Sequence, residues 1–376
     1  MNGGERSVVT QKDIARIVGV DASVVSVVLN NREGHIGVSE ARRNLILKTA
    51  RELGYMPNAA ARQLKGEASR IIGLVMPNWT HETPGDLRRY ISETLYANGY
   101  QTFLATLLDD ESNRERIRRD LLSRNVDGII FANSHVLPAT EDYDIPIVAG
   151  YDNVPLGDLG FDLAYGTRLA AEHLISHGHR KIAYLTGSDK PMKRSGWEAA
   201  LQEAGTGCRP EWCLELTHNR DFRRELDVLI KQEGITAIVC ANDFFAGRLI
   251  LYLSRHGYRV PDDIAVTGYD GTGFSQCLNP PLTTVVLPVR ELAEAYVELM
   301  LERLNGKPSV FPEVPRMIRP YLHVAASCGC QCNVPDIIYW QEQSVTLESQ
   351  KPLEEGMPES FREFEHRADK GYREEW

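Results

Sequence analysis

The sequence predicts an α/β protein: a small three-helix segment and a hinge, followed by a larger core of parallel sheets. Three observations predict it. Apolar residues recur at helical spacing over the first 55 positions, a short alanine-rich break follows, and strand–helix units repeat from Ile71 onward. At 376 residues the chain exceeds one typical domain.

The amino-terminal helices are read from their caps and stripes. Thr10 and Asp13 form a capping pair, and Ile14 and Ile17 line one face of a helix ending near Gly19. Asp21 caps a second helix through Asn30, with Val25, Val28 and Leu29 apolar. Ser39 caps a third, in which Ile46, Ala50 and Leu53 recur before Gly54. In the segment 57–66, Pro57 opens a short helix and Gly66 closes it. Its alanines favour helix, but it is too short to be stable alone, which suits a hinge that folds only when held.

From Ile71 the pattern changes. Ile71–Met76 is a continuous apolar run, as expected of a strand buried on both faces. Further strands are expected at Gln101–Thr106, Gly128–Phe131, Ile147–Ala149, Ile182–Thr186, Ala237–Cys240, Ile264–Gly268 and Thr283–Val286. Helices are expected at Pro84–Asn98, Arg114–Ser123, Tyr165–His177, Gly196–Ala204, Phe222–Lys231 and Phe244–His256. The clearest helix is Pro288–Asn305, where Val289, Leu292, Ala293, Tyr296, Val297, Met300 and Leu304 make one stripe. Periodicity alone leaves open whether this core is one barrel or two doubly wound lobes.

Charge is unevenly spread. The formal net charge is −10, yet residues 1–66 hold ten Lys/Arg against six Asp/Glu, while residues 331–376 hold eleven acids against five bases. A basic head on an acidic body suits a protein that meets phosphates at one end only. No apolar run reaches the roughly 20 residues of a membrane span, and residues 1–10 lack a signal-peptide core, so a cytoplasmic protein without membrane contact is expected. Cys328, Cys330 and Cys332 stand too close in sequence for all three to face one metal easily, and ordinary reduced thiols are expected. His177 and His179 look like a metal pair in spacing alone. No nucleophile–base arrangement, metal-ligand spacing or phosphate-cradling loop stands out, so no catalysis, cofactor or metal is expected.

Several short motifs then occur in one order. They include Val9-Thr10-Gln11-Lys12-Asp13-Ile14-Ala15, Val25-Ser26-Val27-Val28-Leu29-Asn30 and Leu53-Gly54-Tyr55-Met56-Pro57-Asn58. Gly178-His179-Arg180-Lys181-Ile182, Ala241-Asn242-Asp243, Gly268-Tyr269-Asp270 and Pro280-Pro281-Leu282-Thr283-Thr284 follow. Together they resemble the LacI/GalR family of bacterial transcriptional regulators, from residue 8 to about 325. The resemblance implies a helix-turn-helix headpiece (1–56), a hinge helix and linker (57–68), and a two-lobed periplasmic-binding-protein-like effector and dimerisation domain (69–327). An acidic extension (328–376) follows. It also implies a homodimer that binds a palindromic double-stranded operator, most simply as a repressor, under control of a small polar effector such as a sugar or sugar derivative. It further sets Gly178-His179-Arg180-Lys181-Ile182 at a helix-to-strand turn, so His177 and His179 are read as structural.

For the DNA end, the resemblance assigns Thr10, Ala22, Ser23, Ser26, Val27 and Asn30 in the headpiece, and Asn58, Ala61, Arg62 and Leu64 in the hinge. Recognition-helix side chains near the helix start meet base edges in the major groove. Many family members carry Arg where this chain has Val27, so a guanine contact gives way to an apolar one. Leu64 matches the position at which the family wedges a leucine between base pairs.

For the effector end, the resemblance assigns Phe161, Asp162, Lys193, Asn242 and Asp270. Asn242 and Asp270 fall at carboxyl ends of predicted strands, where open α/β sheets bind ligands, although either residue could instead cap a helix. Lys193 stands where the family usually has Arg, replacing a planar fork with a point charge, and Arg194 could take that role. Trp197 could serve the core alone. His81-Glu82-Thr83-Pro84-Gly85 lacks the aromatic pair common in the family at that place.

Overall fold

A computed structural model describes residues 9–29, 37–56, 68–77, 82–107, 111–132, 143–150, 157–187, 191–216 and 222–330. The hinge from 57 to 67, the loop 30–36 and the tail from 331 lie outside these residues.

The headpiece holds α1 (Gln11–Val18), α2 (Ala22–Leu29) and α3 (Glu40–Glu52). Ile14, Val25 and Ile46, one from each helix, are fully buried and centre a core of their own. The capping pair at α1 is present: Asp13 N donates to Thr10 Oγ1, and Thr10 N donates to Asp13 Oδ2 at 3.0 Å. Gly19 ends α1 at φ +71°, and Asp21 accepts from Ser23 N at 2.8 Å to open α2. A glycine-terminated helix and an Asp-initiated one, three residues apart, make the tight helix-to-helix turn.

The remaining described chain divides between two compact units. The first comprises residues 1–160, which include the headpiece, and 289–316; the second comprises 161–288 and 317 onward. The chain therefore crosses three times, a connectivity that argues against one closed barrel. Crossings one and three fall inside short strands, β5 (Leu159–Phe161) and β11 (Arg316–Ile318).

In the first unit, β1 (Ile71–Pro77), β2 (Gln101–Leu107), β3 (Gly128–Phe131) and β4 (Ile147–Ala149) form a parallel sheet in the order β2-β1-β3-β4. Helices α4 (Glu82–Ala97) and α5 (Glu111–Ser123) make the crossovers. The expected carboxyl-terminal amphipathic helix is α10 (Val289–Leu304), which packs on α4. Of the expected stripe, Leu292, Ala293, Tyr296, Val297 and Met300 are buried, Val289 and Leu304 only partly, and Ala295 and Arg303 are buried beside them.

In the second unit the order is β12-β10-β9-β8-β6-β7. The strands are β6 (Ile182–Thr186), β7 (Cys213–Glu215), β8 (Ala237–Cys240), β9 (Ala265–Asp270), β10 (Thr283–Val286) and β12 (Tyr321–His323); only the β10–β12 pair is antiparallel. Helices α6 (Leu163–Ser176), α7 (Pro191–Glu203), α8 (Phe222–Val228) and α9 (Asp243–Arg255) connect them.

Two expectations from the sequence needed correction here. The helix read as beginning at Gly196 begins at Pro191, with Gly196 inside it. A Cβ at Gly196 would stand 2.0 Å from the carbonyl oxygen of Ala164, so the glycine is there to let α7 approach α6 rather than to start a helix. The helix from Phe222 ends in a π-turn at Leu229–Glu233. Strands β5, β7, β11 and β12 were not expected; each is three residues long, too short to show alternation.

Candidate functional site

The DNA-facing candidates on α2 sort by helical angle. Val25 and Val28 point into the headpiece core, and Ala22 packs partly against it. Ser23, Ser26 and Val27 fall on the opposite side at 100° per residue and are not buried. Asp21 is held below the usual carboxylate range by hydrogen bonds from the Ser23 side chain and amide. A persistent carboxylate thus stands at the start of the helix. Thr10 sits at the α1 cap, with its Oγ1 2.7 Å from Asp13 Oδ2, and is exposed. Asn30, Asn58, Ala61, Arg62 and Leu64 lie outside the described residues.

The effector candidates lie in the second unit, which doubles back at its own switch point. Strand β6 has β7 on one side and β8, β9 and β10 on the other. Ligands of open α/β sheets bind beyond the carboxyl strand ends at such a point. There the fold brings Lys193 to Asp270: Nζ lies 3.3 Å from Asp270 Oδ1 and 2.7 Å from the carbonyl oxygen of Ala241. The ammonium also stands 3.6 Å from the centroid of the Tyr269 ring. The pair is largely shielded, with side-chain exposures of 7% for Lys193 and 18% for Asp270. Asp270 itself has φ +104°, a backbone state that L-residues rarely adopt and that collects at functional sites.

The other candidates separate. Asn242 caps α9, its Oδ1 accepting from Phe245 N at 2.8 Å, and Asp162 caps α6 through Tyr165 N at 3.0 Å. Phe161 is buried on β5. Arg194 is turned to Glu198, whose Oε1 accepts from Nε at 2.7 Å. Trp197 is core: it is fully buried, stacks on Tyr184 and donates to the carbonyl of Ile182.

One residue that sequence reasoning passed over is Asp243. It is fully buried, and its carboxylate accepts from Thr284 Oγ1 at 2.5 Å and from the amide and hydroxyl of Thr272 at 2.7 Å each. Burial pushes its carboxyl up to about 6 even against those hydrogen bonds. A Cβ at Gly268 would come within 2.3 Å of its Oδ1, so the glycine in Gly-Tyr-Asp makes room for this carboxylate. The available signal was an Asp beside the capping Asn242, but only the fold brings β10 and the turn after β9 onto it.

Cys328 and Cys330 stand as thiols rather than in a disulfide, and both face histidines. Cys328 Sγ lies 3.2 Å from His173 Nε2, and Cys330 Sγ 3.2 Å from His177 Nε2. Cys332 lies outside the described residues. His179, which the sequence paired with His177, instead sets Nδ1 2.9 Å from Thr236 Oγ1.

A three-helix headpiece ahead of parallel α/β units, with a shielded polar pair at the second sheet's switch point, is the architecture of a DNA-binding regulator. Comparison with known proteins specifies the class. The family described as bacterial regulatory proteins, lacI family, matches residues 10–58, and the periplasmic binding protein-like domain matches residues 171–328. The chain is 32% identical over 315 residues to the HTH-type transcriptional repressor PurR of Mannheimia succiniciproducens, spanning 79% of this chain and 92% of that protein. It is 31% identical over 318 residues to PurR of Aliivibrio fischeri strain MJ11, with the same shares. Among solved structures, the Lac repressor dimer bound to operator and the anti-inducer ONPF aligns with TM-score 0.72 and 26% identity, covering 85% of this chain and 99% of that one. The transcriptional regulator CelR–cellobiose complex aligns with TM-score 0.59, 26% identity and the same coverage. The chain belongs to the lacI family of bacterial regulatory proteins. It is a DNA-binding transcriptional regulator with a periplasmic-binding-protein-like core, and among its described residues no helix is long and apolar enough to cross a membrane.

Proposed function

We propose that this chain is a cytoplasmic homodimeric repressor whose affinity for a palindromic operator is set by a small polar effector, a sugar or sugar derivative in the simplest case. The Lys193–Asp270 pair at the sheet switch point carries the reading. A shielded ammonium and carboxylate, 3.3 Å apart, offer a donor and an acceptor to neighbouring hydroxyls while neutralising each other. Asn242, Asp162 and Phe161 complete the proposed contacts, the first two with one side-chain oxygen already committed to a helix cap. The cellobiose complex of CelR and the ONPF complex of the Lac repressor support a small organic effector.

At the DNA end, Ser23, Ser26 and Val27, with Ala22, read the major groove, and Thr10 and Asn30 contact the backbone. Asn58, Ala61 and Arg62 line the hinge against the minor groove, and Leu64 unstacks one base step. Effector binding shifts the population between hinge-folded and hinge-unfolded dimers.

A thermal-shift panel of sugars, sugar phosphates and purines tests the effector half. A ligand at 100 times its dissociation constant adds about 2.7 kcal/mol of stability. Asp270→Ala is expected to abolish the response, and a full response in that variant overturns the placement. Binding to DNA from the gene's own upstream region, weakening steeply with salt, tests the other half.

A further inference from the structure

Three metal-ligating side chains, with a second histidine beside them, gather at the far edge of the second unit. His173 and His177 occupy the last turn and cap of α6, four residues apart and so on one helix face, with ring centroids 4.6 Å apart. Against them comes the 3₁₀ turn Ala326–Cys328, after which Gly329, at φ +91°, turns the chain so that Cys330 faces the same way. The ligand atoms of His173, Cys328 and Cys330 all lie within 4.8 Å of one another. His173 Nε2 is 3.2 Å from Cys328 Sγ and 3.7 Å from Cys330 Sγ, while His177 Nε2 is 3.2 Å from Cys330 Sγ. Zinc bonds of about 2.0–2.1 Å to nitrogen and about 2.3 Å to sulfur put tetrahedral ligand atoms about 3.3–3.8 Å apart, close to the nitrogen–sulfur separations of 3.2–3.7 Å here.

The surroundings also suit a cation. The negative end of the α6 dipole points at the cluster. Thr283 Oγ1, at the start of β10, lies 3.0 Å from Cys328 Sγ and supplies the outer contact that fixes a ligating sulfur. Because α6 ends and β10 begins here, the cluster sits at the amino ends of the strands, the edge opposite Lys193 and Asp270. Effector binding does not account for it.

We propose that His173, Cys328 and Cys330, with His177 as fourth ligand, form a site for a zinc-class divalent cation that ties the Ala326–Cys330 segment to helix α6. Two thiolates and two imidazoles make a closed donor set of the structural kind.

The test uses the full-length protein, reduced and stripped with a chelator, then titrated with Co(II) alone. One equivalent is expected to produce the visible bands of tetrahedral cobalt and a near-ultraviolet thiolate charge-transfer band, both displaced by Zn(II), which also raises Tm. Cys328 is buried, so Cys330→Ser and His177→Ala carry the mutational arm, with far-ultraviolet circular dichroism to verify the fold. Cys330→Ser removes one of two thiolates and is expected to cut the charge-transfer band by about half. His177→Ala is expected to weaken binding and change the visible bands, and Cys277→Ser to leave the full signal. Absence of the bands in reduced protein overturns the assignment, as does a full-strength charge-transfer band in Cys330→Ser. So does a Cys328–Cys330 disulfide that forms in place of metal uptake. Operator binding is scored separately, so failure of the metal site leaves the regulatory reading untouched.

Discussion

Arg303 meets Asp158 as a buried fork-to-fork pair, with Nη2 2.6 Å from Oδ1 and Nη1 2.8 Å from Oδ2, and side-chain exposures of 2% and 1%. Asp158 Oδ2 also accepts from Ala149 N at 3.0 Å, and Arg303 donates to the carbonyls of Ile147 and Val310. The two charges thus bind the end of α10 to the end of the first unit's sheet. Removing one partner strands the other in a dry site, so Arg303→Met is expected to cost about 3–5 kcal/mol. Urea unfolding measures it; a loss under about 1 kcal/mol would show that the pair is not holding α10.

Asp243 makes stability depend on pH in an unusual direction. Its carboxyl is raised from the ordinary 3.8 to about 6, chiefly by burial, so the folded state takes up a proton more readily than the unfolded one. The stabilising contribution is fully present below about 3.8 and is lost as pH rises through about 6. A shift of roughly two units is worth on the order of 3 kcal/mol. Asp243→Asn removes that titration, so the wild type is expected to lose stability relative to this variant between pH 4 and 7. Parallel stability–pH curves for the two proteins would contradict it.

Asp270 stores backbone strain on the order of 1–3 kcal/mol at its positive φ. Asp270→Gly relieves that strain while deleting the carboxylate, whereas Asp270→Ala keeps the strain and loses the Lys193 partner. The Gly variant is expected to melt above the Ala variant, and both to lose the effector response. Equal melting temperatures would place the strain elsewhere.

At the DNA end, Asp21 caps α2 at the cost of a negative charge beside the proposed phosphate path. Asp21→Asn keeps the accepting oxygen and removes the charge. Headpiece melting is expected to stay put while operator affinity rises, most visibly at low salt. Unchanged affinity would place Asp21 away from the DNA.

Much of the fold was legible in local pattern. Five of the strands, including Gly128–Phe131, Ile182–Thr186 and Thr283–Val286, occur within the boundaries read from their apolar runs. A buried parallel strand announces itself by unbroken hydrophobicity. Gly196 was misread because its cause, the carbonyl of Ala164 on another helix, lies 32 residues away. The candidate site was legible through a family pattern rather than through chemistry. Lys193 and Asp270 were chosen separately, and nothing in their spacing said that they touch.

By itself the sequence determined the helical head, the repeated strand–helix core and the uneven charge, because these follow from neighbours within one or two turns of chain. The tertiary structure alone decided which distant groups share a site. Asp243 is held by threonines from two other segments, and the fold brings the carboxyl-terminal cysteines to histidines more than 150 residues earlier. Loop connections carry no record of contacts across such separations; packing of the sheet and its helices creates them.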